Sequence, residues 1–196
     1  MTQASNGERM LAAELVARLR PNAGRLAHVI LVATKPDIIK QYPLYSELSS
    51  RGEVVLVCHT GQHYDHRYSG AMLEEFGLPV DIHLGISGSL SQKTAQMISS
   101  FGQVIAELRE LGLTPVPYIH GDTATSMAIG VASYLNQVAC AHVEAGIRTI
   151  TPTREFWDRH LADYRAGRFD YAAYAAEHRS LATYAKGSRE PFPEQF

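Results

Sequence analysis

Apolar and polar positions alternate in two different rhythms along this chain. Short apolar runs, dense in Val, Ile and Leu, occur at His28–Ala33, Glu53–His59, Val80–Leu84, Val116–His120 and Val138–His142. Such runs, bounded by turn residues, have the length and composition of buried strands. Between them lie segments of helical period. Residues 6–20 place Met10, Leu11, Leu15, Val16 and Leu19 on one face, and Pro21, Asn22 and Gly24 end that helix. Ser89–Leu111 is the clearest helix, with Leu90, Met97, Ile98, Phe101, Val104, Ile105, Leu108 and Leu111 on one face and Gly112 as its stop. Shorter helical segments are expected from Pro36, over 69–77, and from Thr123 to about Leu135. Strand and helix therefore alternate from His28 to Glu144. That order predicts an α/β fold, a Rossmann-like parallel sheet with helices on both faces.

Beyond Thr149 the strand rhythm stops. Phe156, Trp157, His160, Leu161 and Tyr164 share one helical face, with Gly167 after it. Asp170 then precedes a second stripe, Tyr171, Tyr174, Ala175, His178, Leu181 and Ala185, closed by Gly187. This predicts an inserted amphipathic helical hairpin, packed on the domain or on a partner subunit. The expected organisation is a helical extension over 1–27, a Rossmann-like domain over 28–150, a helical insertion over 151–187 and a short final segment over 188–196.

Composition narrows the function classes. The 196 residues carry a net charge of −2, so nothing electrostatic points to nucleic acid or a membrane surface. No apolar run is long enough to span a bilayer, and the N-terminus lacks the apolar core of a signal peptide. A cytoplasmic location is the expectation. The two cysteines, Cys58 and Cys140, sit inside apolar runs and read as buried free thiols; no metal cluster is expected. No GxGxxG follows the first strand, which removes the case for a nicotinamide cofactor, and no cofactor is expected.

Candidate chemistry lies just past the strand ends. Asp122 follows the fourth apolar run and Glu144 the fifth. In open parallel sheets ligands bind outside the carboxyl ends of strands, where two acids could share one pocket and move protons. Asp122 could equally be the N-cap of the next helix. Glu144 has no helix start behind it to explain it in that way. After the first strand, Lys35 and Lys40 flank a helix N-terminus opened by Pro36, which suits either an anion site or an ordinary strand–helix turn. His63 follows the second strand in Thr60-Gly61-Gln62-His63.

Two of these blocks carry a resemblance. His120-Gly121-Asp122-Thr123 and His142-Val143-Glu144-Ala145-Gly146-Ile147-Arg148-Thr149 resemble the signature blocks of the UDP-N-acetylglucosamine 2-epimerase family. Thr34-Lys35-Pro36-Asp37 with Ile39-Lys40 resembles that family's opening block, with Ala33, Lys35 and Asp37 in place of Gly, Arg and Glu. Lysine cannot reproduce arginine's bidentate grip on phosphate, so the Lys35 exchange bears on that contact. Pro191-Phe192-Pro193-Glu194 matches a later block of the family, reached here only after the insertion.

The resemblance implies catalytic roles for Asp122, Glu144 and Glu194, and substrate contacts from Lys35, Lys40, His63 and Arg148. It implies one half of a GT-B fold, with the chain ending before a second Rossmann-like domain. It implies a UDP-N-acetylglucosamine-type substrate inverted at C2 through loss of UDP and a 2-acetamidoglucal intermediate, by an isomerase acting as a homodimer or paired with the missing C-terminal domain. A non-catalytic sugar-nucleotide-binding or partner subunit, and the N-terminal half of a GT-B glycosyltransferase, remain the alternatives.

Overall fold

The computed structural model describes residues 9–61, 70–145 and 153–178. Within the chain, 1–145 forms one compact unit and 146–196 a second.

The first unit is a five-stranded sheet with every strand pair parallel. Helix α1 (Ala13–Leu19) runs into a short 3-10 turn, Arg20–Asn22, then strand β1 (Leu26–Val32). There follow α2 (Lys35–Ser50), β2 (Val54–His59), α3 (Ala71–Glu75), β3 (Ile82–His83), α4 (Leu90–Glu110), β4 (Thr114–His120), α5 (Ala124–Leu135) and β5 (Ala141–Val143). The strand order is β3-β2-β1-β4-β5. The chain winds outward one way from β1, then crosses back to β4 and winds the other way. The reversal lies between β1 and β4, and such a switch point opens a crevice at the strands' carboxyl ends.

Burial follows the strand period on both faces. On β1, Ala27, Val29 and Leu31 enter one cluster, with α1 (Leu15, Leu19), α4 (Met97, Phe101, Ile105, Leu108) and α5 (Ala128, Ile129, Ala132). The alternate residues Ile30 and Val32 enter the other, with Ile38 of α2, Leu73 of α3 and Leu78. Successive side chains point to opposite faces, so a strand buried on both sides reads as a continuous apolar run. That is the pattern the sequence shows.

Several boundaries differ from expectation. β3 shrinks to two residues at the sheet edge, where short strands limit unwanted pairing. β5 begins at Ala141 rather than Val138, because Val138 to Cys140 complete the turn after α5; the Val138 N–H donates to Ser133 O at 3.0 Å. The helix expected from Pro36, α2, runs on through Pro43 to Ser50. Pro43 removes the donor for the carbonyl of Ile39, a residue 49 % exposed, so water can take that place.

In the second unit, helix α6 (Arg154–Arg165) is capped by Thr153, whose hydroxyl accepts from Phe156 N. Residues 171–178 are helical, and Asp170 Oδ1 accepts from Ala172 N at 2.8 Å and Ala173 N at 3.1 Å. Phe156 is buried, with the His160, Tyr174 and His178 rings around it. Arg159 and His160 both reach Glu177.

Candidate functional site at the carboxyl edge of the sheet

Three strand ends meet at the switch point. Past β1, Thr34 opens α2 and Asp37 turns back toward it. Asp37 Oδ2 accepts from Ala33 N (3.0 Å), Thr34 N (2.8 Å) and Thr34 Oγ1 (3.0 Å). These bonds satisfy donors that a helix start would otherwise leave unpaired, and they bury Asp37 to 3 % exposure.

β4 ends in His120, also buried. Its Nδ1 lies 2.9 Å from Asp37 Oδ1 and its Nε2 2.9 Å from Glu144 Oε2. Lys40 Nζ, one helical turn beyond Asp37 on α2, donates to Glu144 Oε1 at 2.5 Å. Asp37, His120, Glu144 and Lys40 therefore form one continuous line of polar contacts, from the buried start of α2 to a half-exposed carboxylate. The Lys40 hydrogen bond first, with lesser help from His120, holds the Glu144 carboxyl below the usual carboxylate range, although desolvation, second in size after the Lys40 bond, opposes it.

The backbone here is unusual. Glu144 has φ +64°, a left-handed conformation uncommon for a residue with a Cβ. Gly121 has φ +64° as well, where glycine carries no such penalty. The two turns are tied together: Gly121 N donates to Val143 O at 3.1 Å, and His142 Nε2 donates to Gly121 O at 2.7 Å. Ser126 Oγ of α5 donates to the His120 carbonyl.

Asp122 is exposed and makes no hydrogen bond or ion pair among the described residues. It is not the cap of α5. That position belongs to Thr123, whose hydroxyl accepts from Ser126 N at 3.2 Å. The capping alternative raised by the sequence is thus removed, and Asp122 sits in the turn beside Glu144's, past adjacent strands. Lys35 is exposed in the first turn of α2. His63, Arg148 and Glu194 lie outside the described residues.

Sequence reasoning gave no role to Asp37 or His120. The available signal was a histidine in the last position of an otherwise apolar buried run. Beside the line, His59 at the end of β2 is buried, and desolvation with some help from His83 lowers its pKa to about 4. Among the described residues no group of His, Cys, Asp and Glu could hold a metal ion, and no helix is long and apolar enough to cross a membrane.

A doubly wound parallel sheet with ionisable side chains gathered at its switch point defines a Rossmann-like α/β lobe. The sequence model of one family, described as UDP-N-acetylglucosamine 2-epimerase, matches residues 46–178. That is more than half of the chain, and the chain belongs to this family. A UDP-N-acetylglucosamine 2-epimerase homolog of Methanococcus maripaludis is 28% identical over 124 residues, 62% of this chain and 33% of the relative. The UDP-N-acetylglucosamine 2-epimerase of Neisseria meningitidis is 31% identical over 120 residues, 59% of this chain and 31% of the relative. Among solved structures, the Methanocaldococcus jannaschii UDP-GlcNAc 2-epimerase in complex with UDP-GlcNAc and UDP superposes with a TM-score of 0.56 at 31% identity, covering 63% of this chain and 33% of that one. The Neisseria meningitidis enzyme bound to UDP-GlcNAc gives 0.53 at 29% identity, covering 71% and 38%. The chain thus spans about a third of the length of the relatives it matches.

Proposed function

We propose that residues 1–196 supply one lobe of an enzyme that inverts C2 of a UDP-N-acetylhexosamine, by eliminating UDP to a 2-acetamidoglucal. The observation that carries this reading is the convergence of Lys40, His120 and Glu144 at the switch point, in a chain of this family. The C2 proton is barely acidic, so its removal needs a positioned base and a partner for positive charge developing at C1. Each well-placed acid or base contributes on the order of 10²–10⁴ in rate. The surroundings divide the tasks. Glu144, gripped by Lys40 and His120, is the fixed anion that steadies charge at C1. Asp122, exposed and without partners among the described residues, is the group able to exchange a proton. Lys35, His63 and Arg148 contact the UDP-sugar, and Glu194 supplies a third acid.

The lobe works in the cytoplasm as a homodimer or paired with a C-terminal domain. The test is deuterium incorporation at C2 of UDP-N-acetylglucosamine in heavy water. The 196-residue chain is assayed alone and with the C-terminal domain of the Methanocaldococcus jannaschii relative added in trans. Exchange on mixing, abolished by Asp122→Asn, supports the proposal. No exchange in any combination, with both pieces folded, sinks it.

A further inference from the structure

The line of contacts through His120 fixes where its protons lie. Asp37 Oδ2 already accepts two backbone N–H groups and the Thr34 hydroxyl. A carboxylate so surrounded acts as an acceptor throughout, and the proton in its contact with His120 belongs to Nδ1. The opposite ring nitrogen then faces Glu144 Oε2 at 2.9 Å. Two bare lone pairs at that separation repel, so a second proton lies between Nε2 and Oε2. The imidazole can carry donors on both nitrogens, and Lys40 supplies a further donor to the other Glu144 oxygen.

We propose that Asp37 and His120 are positioning residues for Glu144. Buried Asp37 fixes the His120 ring with Nδ1–H turned toward it. The proton on the far side of the ring then clamps Glu144 Oε2, so that Glu144 presents a fixed negative charge at the edge of the sheet. The clamp explains how Glu144 keeps a left-handed backbone conformation that its side chain disfavours: two polar contacts, from Lys40 and His120, hold both carboxylate oxygens. The titratable groups around the ring are Asp37 and Lys40 on α2, Glu144 past β5, and His59 on β2, which feels the charge of Asp37.

The meaning of the clamp for catalysis rests on the proposed function, but its test needs no turnover. The 196-residue chain is labelled with 15N-histidine, and its ring nitrogens are read by long-range proton–nitrogen correlation at pH 7, with His120 assigned by its loss in His120→Gln. In the wild type, Nδ1 of His120 carries a proton. Glu144→Gln, at an exposed position, shifts Nε2 of His120 and leaves the His28 ring unchanged. In Asp37→Asn the new amide donates toward Nδ1, which gives up its proton while the proton facing Glu144 stays. A His120 that merely fills space would show no response to Glu144→Gln. Absence of that response, or an unprotonated wild-type Nδ1, overturns the proposal, and both readouts stand even if Asp37→Asn fails to fold. A chain whose ring behaves as expected while reconstituted exchange fails would keep the clamp and lose the epimerase reading.

Discussion

Lys40 and Glu144 are separated by 104 positions in the chain, yet their charged ends meet at 2.5 Å. One sits in the first turns of α2, the other past β5, two strands away across the switch point. Because Lys40 is the first cause of the lowered Glu144 titration, Lys40→Met should raise the Glu144 midpoint toward the ordinary carboxylate range. The sign follows from linkage. A carboxyl lowered in the fold contributes stability above its unfolded pKa, and that contribution is lost as pH falls through the folded pKa. Carbon-13 titration of the Glu144 carboxyl in wild type and variant reads this directly. An unmoved midpoint would show that the pair is a contact without consequence.

The backbone at Glu144 gives a second prediction. A residue with a Cβ at φ +64° carries strain of roughly 1–2 kcal/mol that glycine does not. Glu144→Gly and Glu144→Gln both remove the charge, but only the first relieves the backbone. Urea unfolding should find the glycine variant more stable than the glutamine variant by about 1 kcal/mol. Equal stabilities, or the reverse order, would mean that the turn bears no strain.

Buried His59 predicts an acid sensitivity. Its folded pKa of about 4 lies below the unfolded value, so the unfolded chain binds the extra proton first. Stability should therefore be complete above pH ~6.5 and fall between there and about 4, by up to roughly 3 kcal/mol from this group. His59→Gln should flatten that slope in urea melts at pH 7 and pH 4.5. An unchanged slope would assign the acid loss to other groups.

Among the described residues, the two core clusters of the sheet unit and the partly buried residues packed on them all lie between Met10 and Cys140. A chain ending at Ala145 should consequently unfold in a single cooperative transition. A molten product, with helical signal but no transition, would show that residues beyond 145 complete the core.

Much of this architecture was readable from the chain, for a physical reason. Strands buried on both faces leave contiguous apolar runs, and helices packed on a sheet leave a 3.6-residue stripe. Both are local signals, and Val29–Val32 or Phe101–Leu108 carry them plainly. The boundaries that shifted depended on non-local facts. Non-local packing also decides that Pro43, poor in a helix interior by propensity, is tolerated: α2 packs on the sheet through Ile38, Tyr42 and Tyr45 and runs through it. The site was half legible. Asp122, Glu144, Lys35 and Lys40 stand at strand ends or a helix start, where sequence position alone suggests a use. Asp37 and His120 needed the fold, because their contact closes over 83 positions, and no periodicity reports which buried polar group will meet which.

One side chain in α2 has a consequence for the crevice itself. The β1–β4 ladder ends at the pair Ile30 and Tyr118. Just there Gln41, 1 % exposed, sends its amide Nε2 to Leu31 O at 2.6 Å and Tyr118 O at 3.3 Å. A side-chain amide thus acts as the next rung after the backbone rungs run out, spanning the fork where the two strands part. The fork has a spacer of fixed length, and His120 stands two residues past it on one prong. An apolar residue in place of Gln41 would strand two carbonyl oxygens in the interior, at a cost of about 1–3 kcal/mol each. The width of the gap would then be set by whatever water could enter, rather than by the protein.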